Sequence, residues 1–122
     1  MVDQPTDSGD ADFAAHDRTM GVQHTQQGDV AIVSVTGDVD ALTAPELTET
    51  VRGLLGSSPT AVIVDFSDVV FLASAGMSAL VEIQELLGPK AKLVVVADGS
   101  ATSRPIKLVG IDKIVELHPT LD

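Results

Sequence analysis

The sequence predicts an α/β fold, in which helices cover a mixed, mostly parallel sheet of four or five strands. Short apolar, β-branched runs alternate with segments whose apolar residues recur at helical spacing, in the order β-β-α-β-α-β-α-β. Strand–helix–strand units of this length imply right-handed crossovers between parallel strands. The first two strands follow each other closely, which predicts an antiparallel hairpin at one side of the sheet.

The first half of the domain begins with this hairpin. Thr19–Gln26 is a weak strand candidate, Gly28-Asp29 marks a turn, and Val30–Thr36 is a β-branched strand. Gly37–Leu42 is predicted to be a loop, and Thr43 is placed to cap the helix that follows. The apolar face of that helix consists of Leu47, Val51, Leu54 and Leu55.

The second half repeats the strand–helix unit. Ala61–Val64 is continuously apolar, as expected of a strand that is covered on both faces, and Asp65–Ala73 is predicted to be a connection. Ser74 begins a second helix, whose apolar row is Gly76, Leu80, Ile83 and Leu87. The remaining predicted elements are the strand Leu93–Ala97, the helix Arg104–Val109 with Gly110 at its end, and the strand Ile114–Leu117.

Composition excludes several classes of protein. With 18 acidic and 7 basic residues, the chain has a formal net charge of −11, which argues against a surface for duplex nucleic acid. Cysteine is absent, so disulfides, cysteine-ligated zinc and thiol nucleophiles are excluded. Three phenylalanines are the only aromatic residues, which disfavours stacking on single-stranded nucleic acid.

Charge is distributed unevenly along the chain. Residues 1–18 contain five Asp and one Arg without periodicity, so we expect a flexible acidic tail ahead of a single domain at 19–122. Residues 29–85 hold nine acids and one base, Arg52, whereas five of the seven bases lie between residues 90 and 113. The acidic middle is either a docking face for a basic partner or, as charge alone favours, solubilising charge.

Neither targeting nor enzymatic chemistry has a signal in this sequence. No apolar run approaches the roughly 20 residues of a membrane span, and the acidic N-terminus is unlike a secretory signal, which predicts a cytoplasmic protein without membrane contact. There is no phosphate-binding loop, Leu72 replaces the first glycine of a nucleophile elbow, and the three histidines lie in unrelated segments. We therefore expect neither enzymatic activity nor a metal or other cofactor.

Two positions carry candidate chemistry. Asp38 and Asp40 follow a strand, where paired carboxylates could hold Mg²⁺, although a turn in which Asp accepts backbone N–H groups is favoured. Ser74 lies between a buried run and a helix, where its hydroxyl could cap the helix or accept a phosphoryl group. The helix start would tolerate that phosphate, and Met77 and Val81 could add exposed apolar contacts beside it.

Four segments together resemble a known family. They are Gly37–Asp40, Val62–Val69, Ala73–Met77 and Ser103–Lys113. In this order they resemble the STAS domain of bacterial anti-sigma factor antagonists, over about residues 19–118. The last segment is similar to the actinobacterial and mycobacterial members that control stress sigma factor F.

The resemblance implies a switch protein in a partner-exchange cascade. The unmodified antagonist binds an anti-sigma factor that is also a serine kinase, and this frees the sigma factor for RNA polymerase. Phosphorylation of the family serine, which corresponds to Ser74, breaks the complex, and a serine phosphatase restores it. The partner-binding residues implied are Asp38, Asp40, Ala73, Ser74, Ala75, Gly76 and Met77.

The sequence departs from the family pattern at two places. Ala73 stands where the family usually has Asp before the phosphorylated serine, which predicts slower phosphorylation or another form of control. The family's C-terminal helix would begin near Pro119, so we expect it to be missing or truncated, with apolar sheet surface left uncovered.

Two other classes of function remain open at this point. A receiver-like protein would accept a phosphoryl group on Asp65, with Mg²⁺ held by Asp38 and Asp40, but the opening hairpin gives the wrong strand order for it. A nucleotide- or anion-sensing STAS module would instead hold a ligand phosphate non-covalently at the helix start of Ser74.

Overall fold

A computed structural model describes residues 20–121, and within them five strands form one sheet in the order β1-β2-β3-β4-β5. The predicted acidic tail at 1–18 lies outside the described residues. The elements are β1 (Met20–Gln27), β2 (Val30–Val39), α1 (Ala44–Leu54), β3 (Ala61–Leu72), α2 (Ser74–Leu87), β4 (Lys92–Val96), α3 (Ser103–Leu108) and β5 (Glu116–His118). Short 3₁₀ turns occupy Leu55–Ser57, Gly88–Lys90 and Ile111–Lys113.

The sheet is mixed and mostly parallel, which confirms the predicted fold class and element order. β1 and β2 form an antiparallel hairpin through a turn at Gly28, whose φ of +63° favours glycine. The pairs β2–β3, β3–β4 and β4–β5 are all parallel. Each parallel pair is joined by a crossover that contains a helix, as the alternation of periodicities predicts.

The core lies on one face of the sheet. Val33, Val64 and Val95 are neighbours across three strands and are completely buried. The alternate row of Ile32, Ile63 and Val94 is only partly buried. The expectation that Ala61–Val64 is covered on both faces is therefore wrong. Among residues 20–121, every second side chain of this part of β3 is buried in the core, and the side chains between them are only partly buried.

The helices bury the faces that their periodicity predicts. All four residues of the α2 row from Gly76 to Leu87 are buried. Leu47, Val51 and Leu54 of α1 are buried as well, while Leu55 lies in the following turn and is partly exposed. Full burial of a Leu or Ile side chain contributes about 1.5–3 kcal/mol, so this helix–sheet contact is the main source of stability.

Two strands are longer than predicted. β2 continues to Val39 and β3 to Leu72, so Gly37–Leu42 is only in part a loop and Asp65–Ala73 is not a connection. Parallel pairing continues through two register shifts, at 34–36 and 37–38 of β2, which accommodate the polar residues of the segment.

The C-terminal elements differ by smaller shifts. α3 begins at Ser103 rather than Arg104, and Gly110 follows it with a φ of +83°, as expected after a helix end. The last strand is Glu116–His118 rather than Ile114–Leu117. Val115 is buried against the core just before the strand, and pairing with β4 begins at the next residue, Glu116.

Candidate functional site

The candidate site lies where β2 and β3 end side by side. Val39 pairs with Leu72, and the backbone N–H of Ala73 donates a hydrogen bond of 2.9 Å to the carbonyl oxygen of Val39. Asp40 directly follows β2, and Ser74 begins α2 with only Ala73 between it and β3, so both residues lie at the carboxyl edge of the sheet. In an open parallel sheet, this edge is where ligands and partners are most often bound.

Ser74 is the first helical residue of α2 and is exposed to solvent. Of the two roles that the sequence left open for Ser74, capping of the helix is not observed. Ala73 occupies the N-cap position with extended backbone angles, and no side chain caps the helix there. The carbonyl of Ala73 instead accepts backbone hydrogen bonds from Gly76 and Met77. The hydroxyl of Ser74 is therefore not engaged in holding the helix start, and it faces solvent.

Gly76 brings the first turn of α2 close to the strand ends. A Cβ at this position would lie 2.6 Å from Cδ1 of Leu72 and 2.7 Å from Cγ1 of Val39, too close for any residue but glycine without a shift. Gly76 is buried, so it takes part in the predicted docking surface by setting the position of the helix. Ala75 and Met77 are partly buried and pack against the core, whereas an exposed contact was expected for Met77.

Asp40 organises the turn between β2 and α1. Its Oδ1 atom accepts hydrogen bonds from the backbone N–H groups of Leu42 (3.0 Å) and Thr43 (3.1 Å). This is the turn role that the sequence favoured over a Mg²⁺ site. Within residues 20–121, no group of three or more His, Asp or Glu residues is placed to hold a metal ion.

Thr43 precedes α1 as predicted, but its side chain does not cap that helix. Its hydroxyl oxygen accepts a hydrogen bond from the N–H of Asp40 (2.9 Å) and lies 2.8 Å from the carbonyl oxygen of Asp38, to which it donates. The hydroxyl thus closes the loop between β2 and α1. Asp38 itself is partly buried at the end of β2, where it pairs with Phe71.

Asp65 does not join this site. It lies within β3, opposite Ser34, and its Oδ1 accepts hydrogen bonds from the backbone N–H and the hydroxyl of Ser67. Asp38 is four residues further along β2 than Ser34, which corresponds to about 13 Å of strand. The three carboxylates that a receiver-like reaction needs are therefore not brought together.

Exposed apolar side chains surround the strand ends. Leu42, in the loop after β2, is 90% exposed, and Phe71 near the end of β3 is 51% exposed. Neither residue was predicted to belong to the site. Their signal was the presence of large apolar side chains in segments predicted to be loops. Both lie close in sequence to the ends of the strands that lead to the site, Leu42 after β2 and Phe71 just before the end of β3.

A groove of about 380 Å³ runs between α1 and α2 beside Ser74. Ala44 and Thr48 of α1 and Ala75 and Ser78 of α2 form part of its wall. Glu49 and Glu82 also line it, and Arg52 lies 3.1 Å from Glu49 and 3.8 Å from Glu82. The small side chains leave room for a residue of a partner, and the two glutamates together with Arg52 carry a net charge of −1.

The sheet, its crossover helices and the exposed serine at a helix start define the molecule as a STAS domain. The family model described as "STAS domain" matches residues 22–122, and the chain belongs to this family. The anti-sigma-F factor antagonist RsfB of Mycobacterium tuberculosis is 42% identical over 92 residues, which cover 75% of each chain. No helix within 20–121 has the length and hydropathy to cross a membrane.

Solved structures agree with this assignment. An anti-sigma factor antagonist from Mycobacterium paratuberculosis is 40% identical and superposes with a TM-score of 0.81, covering 86% of this chain and 90% of that one. The unphosphorylated form of SpoIIAA is 15% identical and superposes with a TM-score of 0.61, over 82% and 89% of the two chains. At that identity, the second likeness concerns the fold alone.

Proposed function

We propose that this protein is an anti-sigma factor antagonist that binds its anti-sigma factor through the carboxyl edge of the sheet. Phosphorylation at Ser74 switches this binding off. The observation that carries the proposal is the position of Ser74. This serine is the first helical residue of α2 and is exposed to solvent. The mycobacterial relatives described as anti-sigma factor antagonists support the class of partner.

The docking surface combines apolar and acidic groups. Leu42 and Phe71 provide exposed apolar area near the ends of β2 and β3, and desolvation of such area drives most protein association. The groove between α1 and α2 continues this surface along the helix that carries Ser74. The carboxylates along the groove favour a partner with a basic face and speed the encounter with it.

A phosphoryl group on Ser74 acts on the complex rather than on the fold. At the first residue of α2 it lies in the favourable field of the helix N-terminus, so the domain tolerates the modification. In the complex, the same group adds a charge of about −1.5 to −2 at the centre of the contact. Weakening the complex by a factor of 100 to 1,000 requires about 3–4 kcal/mol, which an unpaired buried charge supplies.

The protein acts in this scheme as a regulatory binding module and not as an enzyme. The anti-sigma factor is the serine kinase, and a serine phosphatase regenerates the binding form by hydrolysing the phosphate ester. The exchange takes place where RNA polymerase is found, in the cytoplasm. No contact with nucleic acid, membrane or cofactor is part of the scheme.

The modification is tested by incubating the protein with its anti-sigma factor and ATP and mapping the product by mass spectrometry. We expect one phosphoryl group, on Ser74, and none on the Ser74→Ala variant. Ser78→Ala is the matched control, because Ser78 is an exposed serine on the same helix, one turn further on. Phosphorylation of Ser74→Ala to the wild-type extent would contradict the proposal.

A further inference from the structure

The two edges of the sheet differ in how they are protected against pairing with a further strand. β5 is three residues long, contains Glu116 in an ion pair of 2.6 Å with Lys92, and is followed directly by Pro119. Short length, charge and proline are features that keep an edge strand from pairing with another chain. β1, at the opposite edge, lacks all three: it is eight residues long, contains no proline and pairs with β2 without a register shift.

Charge also distinguishes β1 from the other elements of the domain. Of the five strands and three helices within residues 20–121, it is the one that contains no Asp, Glu, Lys or Arg. The whole chain carries a net charge of −11, so two copies repel each other over most of their surfaces. The outer edge of β1 is therefore the place where two copies meet with the least electrostatic repulsion.

The hairpin determines which backbone groups of β1 face outwards. Gln27 and Val30 pair across a two-residue loop, so this pair is hydrogen-bonded, and bonded and non-bonded pairs alternate from there along the strands. The N–H and C=O groups of Val22, His24 and Gln26 therefore point away from β2. No further strand lies beyond them among residues 20–121. Backbone groups at this spacing select another extended strand as their partner.

We propose that two copies of this protein pair through β1, in antiparallel orientation about a two-fold axis at His24, and form one sheet of ten strands. In this register, Val22 of each copy lies opposite Gln26 of the other, so the outward-facing backbone groups meet each other. Residues 21–27 pair along their whole length. No Asp, Glu, Lys or Arg is present in the paired strands.

This contact leaves the proposed docking surface of each copy free. The two-fold axis reverses the direction of the strands, so the two Ser74 residues lie at opposite ends of the ten-stranded sheet. A contact made by one pair of strands is smaller than the about 1,600 Å² of a stable interface, so the dimer is weak and forms at high protein concentration. Pairing through β1 requires neither an anti-sigma factor nor phosphorylation.

The chain contains no cysteine, so a single substitution reports whether two copies meet at that position. Residue 24 lies on the axis, where the Cα atoms of the two copies are about 5.5 Å apart, within the range of a disulfide. The Cα atoms of residue 27 are about 20 Å apart in the same dimer. His24→Cys should therefore form a linked dimer at least about tenfold faster than Gln27→Cys, which is equally exposed in the single chain. Equal rates would overturn the proposal.

Solvent exchange of the amides, measured by NMR, tests the pairing in the full chain without a cross-link. The amides of Val22, His24 and Gln26 should exchange about twofold more slowly at about 1 mM protein than at about 0.05 mM. His24→Lys places like charges opposite each other on the axis and should abolish this difference, whereas Ser100→Lys adds the same charge at an exposed position after β4 and should preserve it. Exchange that is independent of concentration would overturn the proposal, whether these amides are fast or are already protected within one copy.

Discussion

The backbone N–H of Ala73 and the carbonyl oxygen of Val39 are 2.9 Å apart and form the hydrogen bond that joins the start of α2 to the end of β2. This bond holds the Asp40 turn beside the turn that carries Ser74. The serine is therefore presented on a rigid frame of two strand ends, although its own hydroxyl faces solvent.

Ala73→Asp is predicted to stabilise the domain by about 1 kcal/mol, because Ala73 occupies an N-cap whose helix has no side-chain cap. A carboxylate there would accept an N–H of the first turn and interact favourably with the helix dipole. Urea unfolding measures the change. Ala73→Asn is the matched control, since it keeps the cap without adding charge near Asp40. A loss of stability in both variants would show that the helix start cannot accept a cap.

Gly76→Ala is predicted to destabilise the domain by about 1–2 kcal/mol despite the better helix propensity of alanine. The new methyl group would press on Val39, whose branched side chain has few alternative rotamers. Gly53→Ala in α1 is the control, because nothing lies within 4 Å of a Cβ there, and it should stabilise by about 0.5–1 kcal/mol. Equal effects of the two substitutions on the urea midpoint would contradict the close packing at Gly76.

Thr43→Val is predicted to cost about 1–3 kcal/mol, since it removes the acceptor of the Asp40 N–H and the donor to the Asp38 carbonyl without changing the size of the side chain. Thr43→Ser keeps the hydroxyl and should lose much less. Thermal unfolding of both variants checks this. If the valine variant is as stable as the wild type, the hydroxyl does not hold the turn.

Glu116 gives the domain a pH-dependent contact. Hydrogen bonds from Lys92 and, secondarily, His118 lower the pKa of the Glu116 carboxyl below its ordinary value. The stability that this ion pair contributes is present above the ordinary glutamate pKa and is lost as the pH falls through the lowered one. Lys92→Met should raise the pKa of Glu116 in an NMR titration of its carboxyl carbon, whereas Lys90→Met should not. An unchanged pKa in Lys92→Met would rule the contact out.

Periodicity was sufficient to predict the framework of the fold. The alternation of apolar runs gave the element order, and the row from Gly76 to Leu87 was assigned to the correct face of α2 because burial follows helical spacing directly. The length of β3 could not be obtained in this way. Asp65, Ser67 and Asp68 resemble a loop locally, and only pairing with β2 through register shifts keeps them in a strand.

The candidate site was predictable in its position and not in its details. The order strand–serine–helix indicated Ser74, but which residue caps α2 depends on the hydrogen bond between Ala73 and Val39, which links residues 34 positions apart. The exposed apolar side chains of Leu42 and Phe71 were also not predicted from the sequence. Apolar residues in predicted loops are usually buried, and their exposure follows only from the way the strands end.

The most direct test of the central claim is the affinity of the anti-sigma factor for the protein before and after phosphorylation of Ser74, measured by calorimetry. We expect the phosphorylated protein to bind about 100- to 1,000-fold more weakly, with Ser74→Ala binding like the unmodified protein and Ser74→Glu binding poorly. Amide spectra of the phosphorylated protein should differ from those of the unmodified protein only around residues 72–78. Equal affinity of the two forms, or a loss of binding that accompanies unfolding, would contradict the account.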